Sequence, residues 1–252
     1  MESQFDERKH EGGTLKEMDA GFMTDKKSFD HKENHPIVPF EVPVSIIISG
    51  PSQCGKTTWL VELLKHKDTM FSQKIEKVML IYEIWHPLYE SLETYLPGIE
   101  FSNRIPSREE IDLFCPDDST HNLIVFDDQI SNMASCKHFS DFFLILCNNR
   151  KLSCILTVQN IFSKCRGLRD ISLNARALVI FKNLRSLDQI NLLGSQMFGQ
   201  KKNLFVQAFQ LATSKPYGCL TVDLSQRCDP KLQLRSNILP GEGPVICYIP
   251  KG

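Results

Sequence analysis

The stretch "VSIIISGPSQCGKTT", Val44 to Thr58, constrains the fold more than any other part of the chain. An apolar run of strand length breaks at Gly50 into a loop that closes on Gly55-Lys56-Thr57, and helical spacing begins at once in "KTTWLVELLKHK". Gly50 to Thr57 fits G-x-x-x-x-G-K-[ST] at every fixed position, a match that chance would produce roughly once in a hundred chains of this length. Strand before and helix after are the context in which this loop binds phosphate. Gly50 and Gly55 allow unusual backbone angles and close approach. The backbone N–H groups of Gln53 to Thr57 are then expected to turn inward around a β-phosphate, aided by the positive end of the helix, with Pro51, Ser52, Cys54 and Thr58 completing the nucleotide-binding stretch. Lys56 is expected on the β- and γ-phosphates and the Thr57 hydroxyl on Mg²⁺. The competing reading is a structural glycine turn followed by a surface lysine.

A phosphate loop of this kind needs an acid at the tip of a neighbouring strand. In "NLIVFDDQ" four apolar residues lead into Asp127 and Asp128. Asp127 is expected to hold Mg²⁺ and Asp128 to orient or deprotonate an attacking water. A helix-capping role is the plain alternative for Asp128. The next apolar run, "ILTVQN", puts Gln159 and Asn160 at the C-terminal end of a further strand, the edge at which ligands collect in open α/β sheets. There Gln159 could sense a γ-phosphate, although an amide at a strand end is also an ordinary turn former.

The remaining runs, "EKVMLIY", "SCILTVQ" and "ARALVIF", are unbroken apolar segments of the kind that parallel strands buried on both faces require. Between them "SREEIDLF", "KHFSDFFLILCNN" and "RSLDQINLLGSQMF" carry helical spacing, with Ser107 and Glu110 forming a capping box. The expected fold is therefore α/β: a doubly wound, mostly parallel sheet flanked by helices, in one domain over residues 42–252. Residues 1–41 are polar, without sustained period, and read as a flexible leader. From Tyr217 onward, "GCLTVDLS" and "VICYIPK" are strand-like and expected to extend the sheet at its edge.

Composition narrows the function. The 252 residues carry 29 Lys and Arg against 30 Asp and Glu, a net charge of −1, so any contact with a polyanion must be local. The basic clusters are "SKCRGLRD", with Lys164, Arg166 and Arg169, and "GQKKN", with Lys201 and Lys202. Solvated surface charge explains either cluster taken singly. Nine cysteines without a Cys-x-x-Cys pair, several inside apolar runs, read as reduced core thiols of a cytosolic or nuclear protein. No run approaches the ~20 apolar residues of a membrane span.

The segments "GPSQCGKT", "LIVFDD", "ILTVQN" and "SLNARALVIFKN", in this order and at these spacings, resemble the FtsK/HerA-type P-loop ATPases. More narrowly, together with "SKPYGCLTVDLSQRCDPKLQLRSNILPGE", they resemble the DNA-packaging ATPases of poxviruses and of Polinton or adintovirus-like elements. The resemblance covers about residues 42–252. It implies an ATP- and Mg²⁺-dependent motor on double-stranded DNA, working as a pentameric or hexameric ring with viral capsid or membrane-associated virion proteins. The expected place is a host nucleus or a cytoplasmic viral assembly site, or the virion itself. It also implies that Gln159 is the sensor glutamine and that an arginine from a neighbouring subunit completes each site. That arginine matches Arg150, with Arg176 as second candidate. Many members carry Asp-Glu where this chain has Asp127-Asp128. A nucleotide kinase, whose loop "SGPSQCGKTT" also resembles, and a nucleotide-gated scaffolding module are the alternatives.

Overall fold

The computed structural model describes residues 34–116, 119–129, 151–162, 166–185 and 187–249. A ten-stranded sheet runs through it. The strands in chain order are β1 (Asn34–His35), β2 (Ser45–Ser49), β3 (Ile75–Tyr82), β4 (Glu100–Ser102), β5 (His121–Asp127), β6 (Leu152–Val158), β7 (Ala177–Phe181), β8 (Cys219–Asp223), β9 (Leu234–Ser236) and β10 (Val245–Cys247). The helices among the described residues are α1 (Lys56–Lys65), α2 (Lys67–Met70), α3 (Glu90–Tyr95), α4 (Arg108–Phe114), α5 (Arg166–Asn174), α6 (Leu187–Phe198) and α7 (Lys202–Ala212).

Across the sheet the order is β1-β10-β9-β8-β7-β2-β6-β5-β3-β4. The six strands from β7 to β4 pair parallel, and the four from β8 to β1 add on antiparallel. Fold class and the edge position of the tail therefore match the sequence expectation. The unbroken apolar runs explain the parallel part, because both faces of these strands are covered. Along β2, Ile46 and Ile48 pack with Trp59, Leu60, Leu63 and Leu64 of α1, whereas Ile47 points to the opposite core. On that second face Ile111 and Phe114 of α4, Leu168 and Ile171 of α5, and Phe205 and Phe209 of α7 close the layer. Each fully buried Leu, Ile or Phe removes from water apolar surface worth roughly 1.5–3 kcal/mol, so the two helical layers, not the short loops, hold the strand tips in register.

Local signals behave as read at α4. Ser107 Oγ accepts from the Glu110 N–H (3.3 Å) and Glu110 Oε2 accepts from the Ser107 N–H (2.7 Å), the reciprocal capping box. Arg104 forks onto the same carboxylate and, with these bonds, pulls Glu110 down to about 2.

Several elements were not legible in the sequence, α2, α3 and α5 among them. β4 and β9 are three residues each, too short for a period to register. In the segment containing "GQKKN", Gly199–Lys201 is a 3₁₀ turn, and Lys202 opens α7. Its apolar residues Phe205, Ala208 and Phe209 recur at i, i+3 and i+4, but Lys201 and Lys202 draw attention away from them. Within the stretch read as leader, Asn34–His35 pairs with β10, and Phe40 is buried beside Phe71. The helix expected in "KHFSDFFLILCNN" lies outside the described residues. No helix among the described residues is long and apolar enough to cross a membrane.

Candidate nucleotide site

The β2–α1 loop lies at the C-terminal edge of the parallel strands. Gly55, at φ 100°, is the N-cap of α1 and carries no side chain to cap it, so the first N–H groups of the helix are left for a ligand. The first turn holds no acidic residue that would repel an anion. Gln53 is left-handed at φ 64°, as Gly55 is at φ 100°, the kind of alternation from which a concave anion nest of backbone N–H groups is built. Gly50 serves by space and not by angle. A Cβ built there would stand 2.6 Å from Cys54 Sγ and 2.7 Å from Phe181 Cβ, the latter on β7. Gly50→Ala is accordingly expected to lower stability by about 2 kcal/mol through overpacking. A calorimetric melting temperature lower by roughly 4–8 °C checks it. An unchanged melting temperature would show that the loop yields freely.

Lys56 is 9% exposed, and its Nζ donates to the carbonyls of Gly50 (2.8 Å) and Pro51 (3.0 Å). These two bonds fold the ammonium over the loop, one donor short of its full complement of three. Burial pushes the Cys54 thiol up, so the residue two before Lys56 stays neutral and adds no negative charge to the nest.

The acid arrives from β5. Two strand positions separate β5 from β2, because β6 lies between them, yet Thr57 Oγ1 donates to Asp127 Oδ2 across 3.4 Å. Asp127 is 5% exposed and accepts two further hydroxyl bonds, from Thr157 on Oδ1 and from Tyr89 on Oδ2. Burial first, then the charge of Asp127, its hydrogen bond and the charge of Asp128, push the Tyr89 phenol far above its usual range, so it stays a donor. Asp128 is exposed and left-handed at φ 53°, and its N–H donates to Thr157 Oγ1 at 2.9 Å. Asp is enriched in that backbone region, which supplies a local reason for Asp, and not the longer Glu, at this position.

Lys56, Thr57, Thr58, Ser52, Gln53 and Gly55 share one cleft of about 650 Å³ with Asp127 and Asp128. Sequence reasoning did not place the rest of its wall. His86 comes from the β3–α3 connection, and Trp59 and Glu62 from α1. Tyr217, Leu239, Pro240 and Glu242 come from the tail. Tyr217 is 74% exposed at φ 60°, with its ring against Gly55. The "NILPGEG" turn behind it is pinned by the Leu239 N–H to Glu242 Oε2 bond (3.1 Å). The polar end of the cleft thus suits a polyphosphate, and the tail supplies an apolar end.

The other expected residues fall elsewhere. Gln159 is at the tip of β6, between the loop strand and the acid strand, but lines a small hollow with Gly50, Asn160 and Phe181 and not the cleft. Arg176 precedes β7 at the opposite edge, donating to the Pro43 carbonyl (2.7 Å). The five residues of β7 put about 16 Å between that edge and the cleft at 3.3 Å per residue, so Arg176 does not reach its own site. Arg150 and Lys164 lie outside the described residues. Of the two basic clusters, Arg169 lies on α5, which follows the cleft end of β6, and Lys201 and Lys202 sit in the turn of the α6–α7 hairpin, which leaves β7 at the cleft edge and returns to β8 there.

Among the described residues no group of three or more His, Cys, Asp or Glu is placed to hold a metal. Thr57 and Asp127 fit Mg²⁺ differently, as one hydroxyl and one carboxylate, with phosphate and water completing the shell of a hard cation.

A Gly-Lys-Thr loop between a central parallel strand and its helix, facing a strand-tip carboxylate, defines this chain as having the fold of a P-loop NTPase. No family model and no curated protein matches it in sequence. Among solved structures it is similar to the genome packaging NTPase B204 of Sulfolobus turreted icosahedral virus 2 in complex with ATP-gammaS. That match is 10% identical, covers 83% of this chain and 98% of that one, and has a TM-score of 0.47. It is also similar to the cytoplasmic domain of the Type VII secretion ATPase EccC of Thermomonospora curvata (12%, 83% and 24%, TM-score 0.40). A KaiC-like protein of Pyrococcus horikoshii OT3 is a third (11%, 82% and 90%, TM-score 0.39). At such identities and scores the likeness bears on neither substrate nor activity.

Proposed function

We propose that this chain is an ATP-hydrolysing motor that translocates double-stranded DNA to package a viral genome. The observation that carries the hydrolytic part is the meeting of Thr57 with Asp127 at 3.4 Å, with Asp128 lining the same cleft as Lys56. Lys56 and the loop N–H groups bind the β- and γ-phosphates; Thr57 and Asp127 hold Mg²⁺, which when bound draws charge from the phosphates. Asp128, exposed at the cleft wall, accepts the proton of an attacking water. A second acid serves transfer to water, whereas a nucleotide kinase, whose acceptor is an already anionic phosphate oxygen, does not need one.

The DNA and the packaging role rest on the sequence resemblance, as do the ring, the capsid partner and assembly in a host nucleus or cytoplasmic site. Arg150 of a neighbouring subunit is the proposed trans arginine; Arg176, at the edge remote from its own cleft, is the other. Local contacts from Arg169 or Lys201 and Lys202 would grip the phosphate backbone without sequence preference.

Steady-state hydrolysis with and without long duplex DNA tests this reading. Turnover stimulated several-fold by DNA, and rising per chain with protein concentration, is the expected result. Transfer of phosphate to a nucleoside monophosphate would instead make the chain a kinase, and negligible turnover a nucleotide-gated scaffold.

A further inference from the structure

Asp127 accepts more side-chain hydrogen bonds than the loop chemistry accounts for. A carboxylate offers about four lone-pair sites. Thr157 takes one on Oδ1, while Tyr89 and Thr57 take two on Oδ2. The Thr57 contact is long at 3.4 Å, and it is the one to be given up when that hydroxyl turns to a cation. The other two have no such alternative. The Thr157 oxygen accepts from the Asp128 N–H, and its single proton is given to Asp127. The Tyr89 ring is set by its neighbours: Tyr82, Trp85 and Phe101 stand at centroid distances of 6.1, 5.6 and 6.4 Å. Its hydroxyl is therefore delivered to Oδ2 by packing that does not depend on the hydrogen bond.

We infer that Tyr89 and Thr157 are positioning residues that hold the Asp127 carboxylate in the plane from which it receives the metal of the bound nucleotide. The inference rests on the cleft being a metal–nucleotide site. Two fixed donors on different oxygens stop the carboxylate from rotating about its terminal bond, which one donor does not. They also balance its charge before a cation arrives, so the acid is held ready in a nearly dry position. Thr157 does more, because the N–H bond from Asp128 ties the backbone of the second acid to the same hydroxyl. The two carboxylates are thereby spaced by one side chain on the intervening strand β6. Outer partners of metal-binding groups typically contribute 10–100-fold in metal affinity.

The test is equilibrium binding of a fluorescent ATP analogue to the full chain, titrated with Mg²⁺. Tyr89→Phe, which keeps the ring packing, is expected to leave metal-free nucleotide affinity unchanged and to raise the Mg²⁺ half-saturation about tenfold. Thr157→Val should do the same, and Thr157→Ser, which restores the hydroxyl, should bind Mg²⁺ as the parent does. A lowered melting temperature with parental Mg²⁺ dependence in Tyr89→Phe would make the phenol merely structural and overturn the inference. Should Tyr89→Phe fail to fold, equal Mg²⁺ dependence in Thr157→Val and Thr157→Ser overturns it equally. A parent chain that binds the analogue without any response to Mg²⁺ would remove the metal site itself, a different failure from the first two.

Discussion

Lys56→Ala is expected to remove nucleotide hydrolysis, with turnover lower by at least about a hundredfold, the size of effect seen when one donor to a developing oxyanion is lost. In the structure Nζ is held by the Gly50 and Pro51 carbonyls, at 2.8 and 3.0 Å, directly over the loop. The alanine variant leaves those carbonyls pointing at the phosphate position with no cation between, so binding should weaken together with turnover. Because Lys56 is 9% exposed, part of the change will also appear as altered loop packing. Parallel measurements of turnover and of nucleotide affinity decide the matter. A variant that hydrolyses ATP at the parental rate would end the assignment of this loop as the phosphate site.

Asp128→Asn should separate binding from chemistry. The expected result is nucleotide affinity near the parent's and turnover lower by roughly 10²–10⁴-fold, the range of a lost general base. The backbone makes this an unusually clean substitution. Asp128 is left-handed at φ 53°, a region that Asn tolerates as well as Asp, and its N–H bond to Thr157 does not involve the side chain. The backbone is thus left in place, while the carboxylate's charge and its ability to accept a proton are removed. Single-turnover hydrolysis alongside equilibrium binding reads both quantities. Parental turnover would send the search for the base to another group on the cleft wall, of which His86 is the nearest in the chain to Tyr89.

Much of the candidate site was legible because a phosphate loop is a local device. Its donors are consecutive backbone N–H groups, a helix end and one lysine within eight residues, and no distant contact is needed to specify them. The acid pair was legible for a similar reason, as a polar break at the end of an apolar strand. Tyr89 was not. In "HPLYESL" it looks like an ordinary half-apolar residue opening a short helix, and nothing in its neighbours signals that its hydroxyl meets a carboxylate 38 residues away. Thr157 carried a faint sign, a hydroxyl inside the otherwise apolar "CILTV", where a β-branched residue is unremarkable in a strand. Gln159 shows the limit in the other direction. Its position at a strand tip was read correctly, but the side of the loop to which that tip turns depends on the twist and neighbours of β6, and the amide lines the hollow beside Gly50.

By itself, then, the sequence determined the phosphate loop, the parallel strands buried on both faces and the placing of two carboxylates at a strand end. All of these follow from residue type at short spacing: glycine where a side chain would clash, apolar runs where two faces must be covered, polar residues where a strand leaves the core. Tertiary structure alone decided the order β7-β2-β6-β5-β3, which inserts Thr157 between loop and acid, and the return of the tail, which carries Tyr217, Leu239 and Pro240 to the far wall of the cleft. Thr57 and Asp127 are 70 residues apart, and which strand pairs with which is settled by the packing of whole layers. No period in the chain encodes that choice, since every one of these strands presents the same apolar faces to its neighbours.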